Sequence, residues 1–139
     1  QDYKKKLSGP LRDRIDMTIE EQKVENEDLR KALPETGADC IVHNVVKNTI
    51  TGAIARQRAR YGGGGFYNSS LSSYDVTKLL RLDAEAEKTL AMASERLELS
   101  ARSYFKTIKV AQTIADLDGA EIIQARHLTE ALTYRRRSQ

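Results

Sequence analysis

One helical face of this sequence gathers the residues best suited to chemistry. Over residues 99–115, Ala101, Tyr104, Phe105, Ile108, Ala111 and Ala115 recur at helical spacing as an apolar stripe, and Arg102, Lys106, Lys109 and Thr113 fall opposite. Cations suit the C-terminal end of a helix, where the macrodipole is negative, so Arg102 in the first turn works against stability. A guanidinium kept there is a candidate for reaching a phosphate, whose oxygens its fork can hold in pairs. The plainer alternative is an exposed arginine paired with an Asp or Glu. Lys106 and Lys109 either add positive potential toward the same anion or are simply solvated charges.

Arg56, Arg58 and Arg60 form a second basic group, beside Tyr61 and four glycines at 62–65. Cations that track phosphates, a ring that stacks and a flexible loop are the ingredients of a DNA contact. A charge run at a helix end also occurs without any ligand. Cys40 and His43 are three residues apart, and two ligands do not close a zinc shell, so no metal site is expected; His127 reads as a cap or packing residue of the last helix. No Ser/His/Asp or Cys/His arrangement is evident. The glycine run lacks a following Lys-Ser/Thr, and neither a phosphate-binding loop nor a strand ending in paired acids is present, so this chain alone is not expected to hydrolyse ATP.

The elements that must position these residues are mostly helical. Polar residues 1–13 turn at Gly9-Pro10, and Ile15-Asp16-Met17-Thr18-Ile19-Glu20 alternates as a short strand does. Residues 24–33 suit a short helix stopped by Pro34 and Gly37. A longer helix is expected over about 38–60, where Ile41, Val45, Val46, Ile50, Ala53 and Ile54 share a face, against the weak propensity of its β-branched residues and Gly52. Residues 61–73 read as a flexible loop. Val76, Leu79 and Leu80 suggest the next helix, and Asp83 can cap another, striped by Ala86, Leu90, Ala93 and Leu97. The helix from Ser100 should stop near Gly119, and a last one covers about 125–135 with Leu128 and Leu132 inward. The whole is expected to be mainly α, a helical bundle.

The chain's 139 residues fit one ordinary domain, or one domain plus a flanking piece. Hydrophobic residues make up 40% of it and aromatic residues only 6%, which supports a modest helical core and argues against a β-sandwich. A net charge of +3 is compatible with nucleic acid, an acidic partner or neither. The single Cys40 allows no internal disulfide, and no run approaches the roughly 20 apolar residues of a membrane span, so a cytoplasmic protein without membrane contact is expected. A start at Gln1 suggests a piece of something longer.

Several blocks carry a resemblance. Leu99-Ser100-Ala101-Arg102-Ser103-Tyr104, Thr113-Ile114-Ala115-Asp116-Leu117 and the ending His127-Leu128-Thr129-Glu130-Ala131-Leu132-Thr133-Tyr134-Arg135-Arg136 resemble the C-terminal lid of magnesium-chelatase-like AAA+ ATPases of the ComM/YifB branch. Ser8-Gly9-Pro10-Leu11-Arg12-Asp13-Arg14-Ile15-Asp16 is similar to a segment of that branch, with Arg12 where the family has Leu. Ala53, Gln57, Arg60, Tyr61, Asn68, Leu71 and Arg81-Leu82-Asp83-Ala84-Glu85-Ala86-Glu87 follow in matching order.

The resemblance implies that residues 1–35 end the ATPase core, poorly ordered without its sheet, and that 36–139 form the all-helical lid. It implies that Arg102 is the sensor-2 arginine touching the γ-phosphate, serving a neighbouring subunit's site, and that Arg14 is the arginine finger completing an adjacent site. It also implies a parent that is an ATPase using ATP and Mg2+, assembled as a homo-hexameric ring and acting on DNA as a branch-migration helicase in natural transformation. A motor subunit of a magnesium-chelatase-type complex, a free-standing DNA-binding helical module and a protein-interaction bundle are the alternatives.

Overall fold

Short side chains that cap their own backbone set most helix starts in this chain. The computed structural model describes residues 14–19, 21, 23 and 38–135, the side chains of residues 38–41 excepted. Helix α1 spans Ala38–Tyr61 and is followed by a 3-10 turn, Asn68–Ser70. Four helices come next: α2 (Ser73–Leu79), α3 (Ala84–Arg96), α4 (Ala101–Asp118) and α5 (Ala125–Thr133).

At the start of α2 the Ser72 hydroxyl accepts the Asp75 N–H while the Asp75 carboxylate accepts the Ser72 N–H, a reciprocal capping box. The hydrogen bonds from the Ser72 side chain and backbone hold the Asp75 carboxyl below its ordinary value. Asp83 Oδ1 accepts the Ala86 N–H at 2.7 Å to begin α3, and Ser100 Oγ accepts the Ser103 N–H at 3.2 Å to begin α4. Helix α4 ends at Gly119, whose φ of 78° lets the Ala120 N–H turn back to the Ala115 carbonyl.

Helix α4 is the centre of the fold. Helices α1, α2 and α5 and the 3-10 turn pack on it, and α5 also meets α3. Their shared core contains Val76, Leu80, Leu90, Ile108, Ala111, Ile123 and Leu128. Burying each large aliphatic side chain contributes about 1.5–3 kcal/mol, so the core lies where four helices converge. The connectors before α3 and α5 are tied together: Ile123 N–H donates to the Arg81 carbonyl and Asp83 N–H to the Ile123 carbonyl, with Leu82 and Ile123 in a lone parallel bridge.

The mainly α bundle is thus present, with three departures from the sequence reading. The strand expected over 15–20 is not seen: residues 15–19 run irregularly, Glu20 lies outside the described residues, and no strand lies among the described residues to pair with them. Instead the Thr18 N–H donates to the Tyr134 carbonyl just past α5. The apolar face of α1 is only partly core. Ala53 is buried, but Val45, Val46 and Ile50 are 60%, 51% and 47% exposed. The loop after α1 does not stay irregular through Ser73, because the 3-10 turn buries Asn68. The expected turn at Gly9-Pro10 and the helix at 24–33 lie outside the described residues.

Candidate functional site

The Ser100 cap fixes the first turn of α4 and with it the position of Arg102, which is exposed and has no hydrogen bond or ion pair among the described residues. One turn later, Lys106 Nζ donates to the Ile15 carbonyl at 2.8 Å and lies 3.4 Å from Asp16 Oδ1. These contacts, with Thr18 on Tyr134, hold residues 14–18 across α4 and the end of α5. Another turn on, Lys109 Nζ donates to the Ser69 carbonyl at 3.2 Å and holds the 3-10 turn against the other side of α4.

Between the two lies a cleft of about 800 Å³. Phe105, Val110 and Ile114 contribute apolar wall, and Arg14, Arg102, Lys106 and Lys109 all reach its lining. Arg14, like Arg102, is exposed and has no bonded partner among the described residues. The fold therefore brings together the two arginines that the sequence singled out for nucleotide chemistry, 88 positions apart by number. Lys106 and Lys109 are more than solvated charges, since each holds one of the cleft's walls. At the rim the Tyr134 hydroxyl donates to Glu130 Oε1 at 3.2 Å, which raises the phenol's pKa. Four cations against Asp16 and Glu130 favour an anion, and two guanidinium forks favour one with several oxygens.

The other basic group goes elsewhere. Arg60 forms a forked pair with Asp116, Nη1 to Oδ2 at 3.1 Å and Nη2 to Oδ1, and the Asp116 side chain is fully buried. Burial pulls the Arg60 pKa down, but the Asp116 hydrogen bond and charge outweigh it and the net shift is upward. Arg56 Nη1 donates to the Asp116 carbonyl at 3.0 Å, which satisfies a C-terminal carbonyl of α4. Arg58 alone of the three is exposed and has no bonded partner among the described residues.

Asn68, missed in the sequence as an ordered residue, completes this network. Its Nδ2 donates to Asp116 Oδ2 at 2.9 Å and to Thr113 Oγ1 at 3.0 Å, and its N–H donates to Gln57 Oε1. Its Oδ1 accepts from the Tyr61 hydroxyl at 2.6 Å. Gln112 Nε2 donates to Asp116 Oδ1. No buried side-chain polar atom among the described residues lacks a partner, as so costly a cluster requires. Asn68 and Gln57 stood in the family-like order of residues, which was the one signal pointing to them.

His127 is buried, and its Nδ1 accepts the Gln124 N–H at 3.0 Å. Its Nε2 lies 3.2 Å from Asp118 Oδ2 and 3.3 Å from Arg126 Nε. The ring caps α5, as its sequence position suggested. His43 is exposed on α1, and the Cys40 side chain lies outside the described residues.

Comparison with known proteins places most of this chain in one family. The family described as magnesium chelatase, subunit ChlI C-terminal, matches residues 43–135, which include Arg102, Asn68 and Asp116 but not Arg14. Competence protein ComM of Haemophilus influenzae is 35% identical over 133 residues, and the uncharacterized protein YifB of Escherichia coli is 32% identical over 133. The YifB of Salmonella typhimurium is 30% identical over 138. Each match covers 96% of this chain and 25% of the relative, so the chain spans about a quarter of the length of these relatives.

Proposed function

The chain belongs to the magnesium chelatase ChlI C-terminal family, and we propose on that basis that it is the lid of an AAA+ ATPase whose Arg102 and Arg14 act on nucleotide phosphate. The observation that carries this reading is the shared cleft: both arginines line it, and neither is neutralised by an acid among the described residues. A bundle serving only as an interaction module would be expected to use Arg102 in a structural ion pair, and no such pair is seen among the described residues.

The donors fit a polyphosphate. Guanidinium groups stay charged and stabilise negative charge that develops on a transferring phosphoryl group. The cleft's acids do not suit Mg2+, because Asp16 is held by Lys106 and Glu130 by Tyr134. Magnesium would be held by other parts of the parent, together with ATP. Lys106 and Lys109 orient the walls, so a change in the cleft's contents is felt by both the 14–18 segment and the 3-10 turn. That is a means of passing nucleotide state on as movement of the lid.

In the parent, Arg14 is the finger and Arg102 the sensor of one site in a neighbouring subunit of a homo-hexameric ring. The parent couples ATP hydrolysis to remodelling of DNA as a branch-migration helicase in natural transformation, a reading supported by the similarity to a protein named for competence. Arg56, Arg58 and Arg60 were the sequence's candidates for DNA, and Arg58 is the one whose side chain is not engaged internally.

Mixing subunits tests the assignment. A parent carrying Arg102→Ala and a parent whose phosphate-binding loop is disabled are each expected to be inactive. Mixed, they regain ATPase activity if Arg102 serves its neighbour, because one supplies the loop and the other the arginine. A mixture as inactive as its components counts against action between subunits.

A further inference from the structure

Four glycines follow α1 with φ between 74° and 82°, and a Cβ at any of them would meet nothing within 4 Å. Crowding does not demand this run; it carries the chain through left-handed backbone that other residues avoid. It leads straight to Phe66 and Tyr67, which are 57% and 41% exposed and take no part in the core. Two adjacent aromatic side chains this exposed, outside the core, keep apolar ring surface available to a ligand.

The sequence leading to them is basic. Between Asp39 and Asp75 the sequence has no Asp or Glu, and it has Lys47, Arg56, Arg58 and Arg60. Arg60 is neutralised by Asp116, and Arg56 keeps its charge while bonding a neutral carbonyl. Arg58 is exposed, and its carbonyl accepts the Gly63 N–H at 2.9 Å, so the glycine run folds back on the turn that carries it.

We propose that Phe66 and Tyr67 are a stacking platform for the bases of single-stranded nucleic acid, with Arg58 holding an adjacent phosphate. The inference rests on the reading of the parent as a DNA-acting motor and assigns the contact to residues that the buried network leaves available. An apolar protein surface could also take two aromatic rings, but a basic stretch without acids favours a polyanion.

The test uses the full-length parent and fluorescein-labelled oligo-dT, read by anisotropy over a salt series. Phe66→Ala/Tyr67→Ala is expected to weaken binding by about 10–100-fold without changing the slope of log K against log salt, since no charge is lost. Arg58→Gln is expected to reduce that slope by about one. Phe66→Leu/Tyr67→Leu, which keeps apolar bulk but not stacking, should bind as poorly as the alanine pair, and the thermal midpoint should stay that of the wild type. If either double variant binds like the wild type, the platform is wrong while the DNA reading stands. If the wild-type parent fails to bind oligo-dT at low salt, both fall together.

Discussion

Arg102 and Arg60 are the same residue type on neighbouring helices, and burial separates their roles. Arg102 lines the cleft with no acid paired to it among the described residues, while Arg60 neutralises a carboxylate that has no access to water. Removing one partner of a buried pair leaves an uncompensated charge, so Arg60→Ala should cost about 3–5 kcal/mol in urea unfolding. Arg58→Ala, at an exposed site, should stay within about 0.5 kcal/mol of wild type. Helical spacing was enough to place Arg102 outside. It could not foresee the fate of Arg60, because Asp116 is 56 positions away and nothing local joins them. Asp75 offers a titration test. Its depressed pKa contributes stability that is present above the unfolded-state value and lost as pH falls through the folded-state value. Ser72→Ala should therefore move the Asp75 carboxyl up toward the ordinary carboxylate range in an NMR titration.

Among the elements, those with local signals were legible. Asp83, Ser100 and Gly119 mark the ends of α3 and α4 by their own chemistry, and the structure uses each in that way. Gly119→Ala should cost about 1–2 kcal/mol in thermal or urea unfolding, from the left-handed backbone alone. The new Cβ would also meet Arg56 Nη2 at 3.1 Å. The elements that were misread depend on distant partners. Residues 15–20 alternate as a strand does, but alternation specifies a strand only where a sheet edge can receive it, and here a helix end and Lys106 receive the backbone. Asn68 sits in a Gly/Ser-rich stretch that reads as loop, and it is ordered by Asp116, Thr113 and Gln57 from two helices. Lys106→Met should free the 14–18 segment, visible as faster hydrogen exchange at the Thr18 amide while amides in α4 stay protected.

At the scale of the whole molecule, the bundle and the cleft differ in what they need. The buried core runs from Ala53 to Ala131, so the helices contain their own stability. The cleft needs residues 14–17 as one wall and, under the proposed function, a nucleotide from another subunit. The sequence conveyed the bundle through periodicity and caps, and the site through family-like blocks; that the two arginines share one cleft emerged only from the fold. No helix among the described residues is long and apolar enough to cross a membrane. The most direct test of the account is the ATPase rate of the full-length parent with Arg102→Ala, measured beside its affinity for ATP. An arginine that meets the phosphate in the transition state predicts a loss of about a hundredfold or more in turnover with binding retained. Turnover equal to that of the wild type would contradict it and leave Arg102 a surface residue of the lid.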